Sequence, residues 1–150
     1  MTYSMFKSIT TGLLTGDNVI PKDVEVLSGL VQYALTTVAM QADSLHLMTL
    51  STTADVLRLA QGDYLIRTPV SPTLDTDLMD IDEELVFAVS RYLASYLSKK
   101  KGGIHVNAAD RIIKDYNAKT YEIQDQMRLE SYHNGVVDLD YVAPSSEFTL

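Results

Sequence analysis

The 150 residues are 46% hydrophobic and 21% charged, the balance of one globular domain with a core of its own, which excludes wholesale disorder. There is no cysteine, so disulfides and thiolate metal sites are excluded, and the composition fits a protein made in a reducing cytoplasm. A formal net charge of −8 argues against general affinity for nucleic acid or anionic membranes, while leaving room for a local basic patch.

The opening stretch MTYSMFKSITTGLL lacks the basic start and long apolar run of a secretory signal. No segment approaches the roughly 18 unbroken apolar residues of a membrane span, so a soluble, intracellular protein without membrane partners is expected. Residues 1–20, with Gly12, Gly16, Asp17 and Asn18 among short apolar pairs, read as a loose lead-in with room for one helical turn near Phe6. A helix is predicted over about 21–43. Pro21 suits its first turn, Asp23 and Glu25 favour the positive end of its dipole, and Val24, Leu27, Val31, Leu35 and Val38 recur at helical spacing.

The middle of the chain changes character. Gln61-Gly62-Asp63 can reverse the chain between Val56–Ala60 and Tyr64–Arg67, giving a β-hairpin near 56–67. The rival is a short helix over Ala54–Ala60 capped by Thr53. Tyr64, Leu65 and Ile66 suit a strand better, so the hairpin is favoured, and Pro69 and Pro72 end any regular element.

The strongest helical signal is LDTDLMDIDEELVFAVSRYLASYLSKKKGG. Asp80 or Asp82 supplies its N-cap, Glu83 and Glu84 its first turn, and Leu85, Ala88, Val89, Tyr92, Leu93, Tyr96 and Leu97 its apolar stripe. Lys99, Lys100 and Lys101 fall in the last turn, and Gly102 is expected to close it in the left-handed conformation. A further helix, capped by Asn107 with Asp110 at its third position, carries Ala109, Ile112, Ile113, Tyr116, Ile123 and Met127 and ends at Asn134-Gly135. The short connection predicts an antiparallel helix pair. The last residues, VVDLDYVAPSSEFTL, alternate apolar and acidic side chains and read as an extended arm in need of a partner. The expected organisation is one mainly α domain over 1–150. It comprises a bundle of three to four helices over 21–135 with the hairpin inserted, and an arm over 136–150.

No chemistry declares itself. A phosphate-binding loop needs glycines before the lysine and Ser or Thr after it, whereas KKKGG has the reverse order. With Arg111 and Lys114 nearby, the lysines form either a nucleic-acid contact or, as the plainer alternative, a solvated helix end. The acidic ladder Asp75, Asp77, Asp80, Asp82, Glu83 and Glu84 lacks the glycine and ligand spacing of a calcium loop, and helix-start electrostatics account for it better. His46, His105 and His133 lie in separate elements without zinc spacing, and no nucleophile elbow is present. The sequence therefore predicts no enzyme, no metal and no cofactor. Nine tyrosines against three phenylalanines leave two options, an interface or a tyrosine-filled core, and the arm favours assembly.

A hairpin with GDYLIRTP, an acidic linker, DIDEELVFAVSRYLASYLS, a helix pair and an extended tail follow one another, the similarity covering roughly residues 20–132. This order resembles the head–tail connector (adaptor or head-completion) proteins of tailed bacteriophages. The resemblance implies a structural virion subunit, assembled in the bacterial cytoplasm, that forms a ring of about twelve copies beneath the portal protein. It further implies an arm, here Val136, Val137, Leu139, Tyr141 and Val142, laid on a partner, and loops that receive the next tail or nozzle protein. DNA would pass an acidic lumen without sequence-specific binding, and Lys99, Lys100, Lys101 and Arg111 would touch DNA or a neighbour. The competing expectation is a small regulatory nucleic-acid-binding protein that uses Lys99 to Arg111.

Overall fold

A computed structural model describes residues 1–51, 53–60 and 64–133, with side chains through residue 123. Its helices are α1 (Tyr3–Leu13), α2 (Val24–Gln41), α3 (Glu83–Leu97) and α4 (Gly102–His133); its strands are β1 (Met48–Thr49), β2 (Val56–Leu59) and β3 (Leu65–Arg67). The protein is mainly α with a small antiparallel sheet, the class its periodicity predicts. The arm over 136–150, including Val136, Val137, Leu139, Tyr141 and Val142, lies outside the described residues.

Helix α3 is the centre, with α1, α2 and α4 all packed on it. That explains why Val86, Ser90 and Ala94 are buried along with the expected Leu85, Ala88, Val89, Tyr92 and Leu93: three neighbours cover more than one stripe. Tyr96 and Leu97, at the open end, are only partly covered. Contacts from Glu84 to Lys119, Tyr92 to Asp110 and Arg91 to His105 set α3 and α4 antiparallel, as the short connection requires.

The hairpin is present. Val56, Arg58 and Leu59 face Arg67, Ile66 and Leu65, with an irregularity between Val56 and Arg58. A third strand, β1, pairs with the other edge of β3 through Met48 and Ile66. Ile66 and Leu47 are fully buried and tie this sheet to the helical core.

Three expectations need correction. Residues 3–13 are a helix rather than a loose lead-in. Thr2 accepts a hydrogen bond from the Met5 N–H, and Tyr3, Phe6 and Thr10 bury one face. The helix start is fastened by the 75–79 segment, where Tyr3 N–H donates to the Asp77 carbonyl (2.8 Å) and Met79 N–H to the Met1 carbonyl (2.9 Å). That tertiary support outweighs a weak local pattern.

The second correction concerns α2, which begins at Val24 rather than Pro21. Asp23 is its N-cap, accepting from the Glu25 and Val26 N–H groups at 2.9 and 3.3 Å.

The third concerns the corner between α3 and α4. Helix α3 stops at Leu97, so the lysines form the connection itself instead of a last turn. Gly102 opens α4, and among the described glycines only Gly16 has a positive φ. A Cβ on Gly102 would stand 3.2 Å from the Ser95 carbonyl oxygen, so close approach of the two helices, not a left-handed cap, is what requires glycine. Asn107, the expected cap, lies inside α4, whose buried face starts earlier, at His105, and continues through Ala109, Ile113, Tyr116 and Thr120. Ile123 is exposed, and Asn134-Gly135, the expected end, falls outside the described residues.

Candidate functional site

The acidic ladder is consumed by the fold. Asp75 pairs with Lys7 at 2.6 Å, and Asp77 accepts from the Thr73 and Leu74 N–H groups at 3.0 and 2.8 Å. Asp80 receives both forks of Arg67 at 2.6 Å, the Val70 N–H at 2.8 Å and His46 Nε2 at 2.9 Å. Asp82 holds the N-cap position of α3 without capping it. Its carboxylate instead accepts from the Ser44 hydroxyl, the His46 N–H (3.1 Å) and the Tyr116 hydroxyl (3.0 Å). Glu84 reaches Lys119 at 3.3 Å. These carboxylates diverge to separate partners, and among the described residues no group of three or more His, Asp or Glu could hold a metal ion.

The polar bonds converge on the turn after α2. Asn117 accepts from the Asp43 N–H and donates to the Gln41 carbonyl, both at 2.9 Å. Tyr116 accepts from the Leu45 N–H at 2.9 Å, while Arg58 donates to the Ala39 and Ala42 carbonyls and pairs with Asp43 at 2.9 Å. No buried side-chain polar atom among the described residues lacks a partner. This network joins α2, the sheet, α3 and α4, and its chemistry is fastening.

Protonation follows the same contacts. Burial alone would raise the Asp80 carboxyl, but the Arg67 fork, the Val70 N–H and His46 outweigh it and hold it well below the usual range. Burial and then Asp110, 2.6 Å away, push the Tyr92 hydroxyl up to about 12. Tyr116 is likewise pushed up to about 12, chiefly by burial. The His105 ring is buried, and that burial, followed by the charges of Arg91 and Lys101, lowers its pKa. Arg91 can only donate, so His105 Nδ1, 3.2 Å away, is the acceptor and is unprotonated.

The tyrosines divide. Tyr92 and Tyr116 are core residues with bonded hydroxyls, whereas Tyr33 on α2 is 64% exposed, its ring 5.3 Å from that of Tyr96. Val26 and Met40, seven residues to either side, are each 51% exposed, and Gly29 lies between. These positions make one stripe down the outside of α2. No charged residue occurs from Val26 to Ala42. The inward period of α2 is conspicuous in the sequence and masks this second, outward stripe. The missing charge is the signal that would have found it. Among the described residues no helix is long and apolar enough to cross a membrane.

The basic residues are separated into two places. Lys99, Lys100 and Lys101 are exposed and face residues 15–18 across an open cleft of about 290 Å³, with no ion pair among the described residues. The corner follows the end of α3, starting three residues past Tyr96, whose ring meets Tyr33 on the α2 stripe. Arg111 is exposed on α4, ten residues past Lys101 and about 15 Å along the axis, so it does not share the corner. Compared with protein-family models, curated proteins and solved structures, the chain matches none of them.

Proposed function

We propose that this chain is a structural subunit of the head–tail connector of a tailed phage, assembling as a ring, of about twelve copies, between portal and tail. The observation that carries the assembly part is the uncharged, exposed face of α2 in a protein of net charge −8. The kind of assembly comes from the resemblance of GDYLIRTP and the helix after it to connector proteins. The role needs surfaces rather than reacting groups: the arm residues Val136, Val137, Leu139, Tyr141 and Val142 lie on a partner, and an acidic lumen lets DNA slide. Light scattering of the purified chain, alone and mixed with portal protein, tests this. A multi-subunit particle that co-elutes with portal is expected; a monomer that ignores portal would contradict it.

A second reading has its own observation, the three exposed lysines without ion-pair partners among the described residues. Under it the corner binds nucleic-acid phosphates. DNA affinity that falls steeply with salt, and is lost on replacing Lys99, Lys100 and Lys101 with Ala, would favour it.

A further inference from the structure

We infer that the outward stripe of α2, with the lysine corner beside it, is the receptor for residues 136–142 of a second copy of this chain. This deepens the assembly reading and rests on it for the presence of neighbouring copies.

Dimensions, charge and reach all bear on the occupant. From Val26 to Met40 the stripe runs fourteen residues, about 21 Å of helix. Residues 136–142, extended, span about 20 Å. In an extended segment, alternation would put Val137, Leu139 and Tyr141 on one side and Val136, Asp138, Asp140 and Val142 on the other. The apolar side matches Val26, Tyr33 and Met40, which have no charge among them to desolvate. The two acids fall at the middle of the segment, and the three lysines follow the end of α3, starting three residues past Tyr96, whose ring meets Tyr33. Opposite charge there favours this segment over another acidic surface of the same protein that lacks its apolar side.

Reach excludes the chain's own arm from the Tyr33 end. Gly102 packs against Ser95, so α4 starts at the same end of the bundle as the Tyr33–Tyr96 contact. Helix α4 then runs 32 residues without a proline, carrying His133 about 46 Å from Gly102. Leu139 follows His133 by six residues and can return about 21 Å at most. A neighbouring copy must therefore supply it.

The absence of cysteine makes the test direct. Full-length chain carrying Tyr33→Cys and Leu139→Cys is oxidised mildly and run on a non-reducing gel, with light scattering on the same sample. A ladder of covalent dimers, trimers and larger species is expected from the double variant, against dimers at most from either single variant. Lys99→Glu, Lys100→Glu and Lys101→Glu together should slow ladder formation about tenfold, and adding Asp138→Lys and Asp140→Lys should restore it. An unchanged thermal melt confirms that these changes leave the fold intact. An oligomer that gives no ladder, or only an internally linked monomer, overturns the receptor assignment and leaves the ring. Failure of the charge swap to restore the ladder overturns the pairing of corner and arm. A monomer by light scattering overturns the ring and the receptor together.

Discussion

Asp82 shows how far a local rule carries at a single residue. Its position at the head of α3 is that of an N-cap, yet the carboxylate turns to Ser44 and His46 in the turn after α2 and to Tyr116 on α4, because the Ser44 and Tyr116 side chains are buried and their hydroxyls need an acceptor. Tyr116→Phe removes one donor from Asp82 and strands the Leu45 N–H, and a loss of about 1–3 kcal/mol in urea unfolding is expected. Asp80 makes a pH prediction. Its carboxyl is held below its unfolded value of about 3.9, so its contribution is complete above that value and is lost as pH falls toward the depressed one. Asp80→Asn should lower stability at pH 7 by about 2 kcal/mol and lose less between pH 5 and 2 than the parent does. His105 acts at higher pH. Its folded pKa is depressed, so the unfolded chain takes up the proton first, and stability falls as pH drops below about 6.5. His105→Gln should flatten the stability curve between pH 7 and 5; an unchanged slope would mean another group sets it.

At the scale of elements, α2, α3 and the hairpin were legible because each is specified locally. Period, acidic first turn or strand-forming residues lie within the element itself, as with Leu85 through Leu93 or Leu65 and Ile66. Helix α1 was not, because its stripe is only Tyr3, Phe6 and Thr10 and its start is held by carbonyls some 75 residues away in sequence. Phe6→Ala should cost about 3–5 kcal/mol, since the ring is fully buried between α1 and α3. The start of α4 was misplaced because glycine was read for its backbone freedom when its missing Cβ was what counted. The two glycines there separate the explanations. Gly102→Ala should destabilise by about 1 kcal/mol by crowding Ser95, whereas Gly103→Ala, with open space at its Cβ, should be neutral or stabilising by up to about 1 kcal/mol. Equal effects at both positions would contradict the close-approach account.

At the scale of the whole molecule, the described residues satisfy their buried polar groups, and their outward features include the uncharged stripe on α2 and the basic corner past the end of α3. The candidate site was half legible. KKKGG drew attention to the corner, but the sequence joined it to Arg111, which the length of α4 carries away, and gave no sign of its neighbour Tyr33. Only the folded arrangement of α2 against α3 places Tyr33 against Tyr96, just before the lysines in the chain. Replacing Tyr33 with Glu should then dissociate assemblies while leaving the melting temperature of the subunit within a few degrees, because the side chain is exposed.

The measurement that tests self-assembly most directly is sedimentation velocity on the full-length chain and on the chain lacking residues 136–150, at matched concentrations. A large, discrete particle for the full chain and a species near the 16.7 kDa monomer mass for the shortened one is the predicted result. A single monomeric species in both, over a hundredfold range of concentration, would contradict the account.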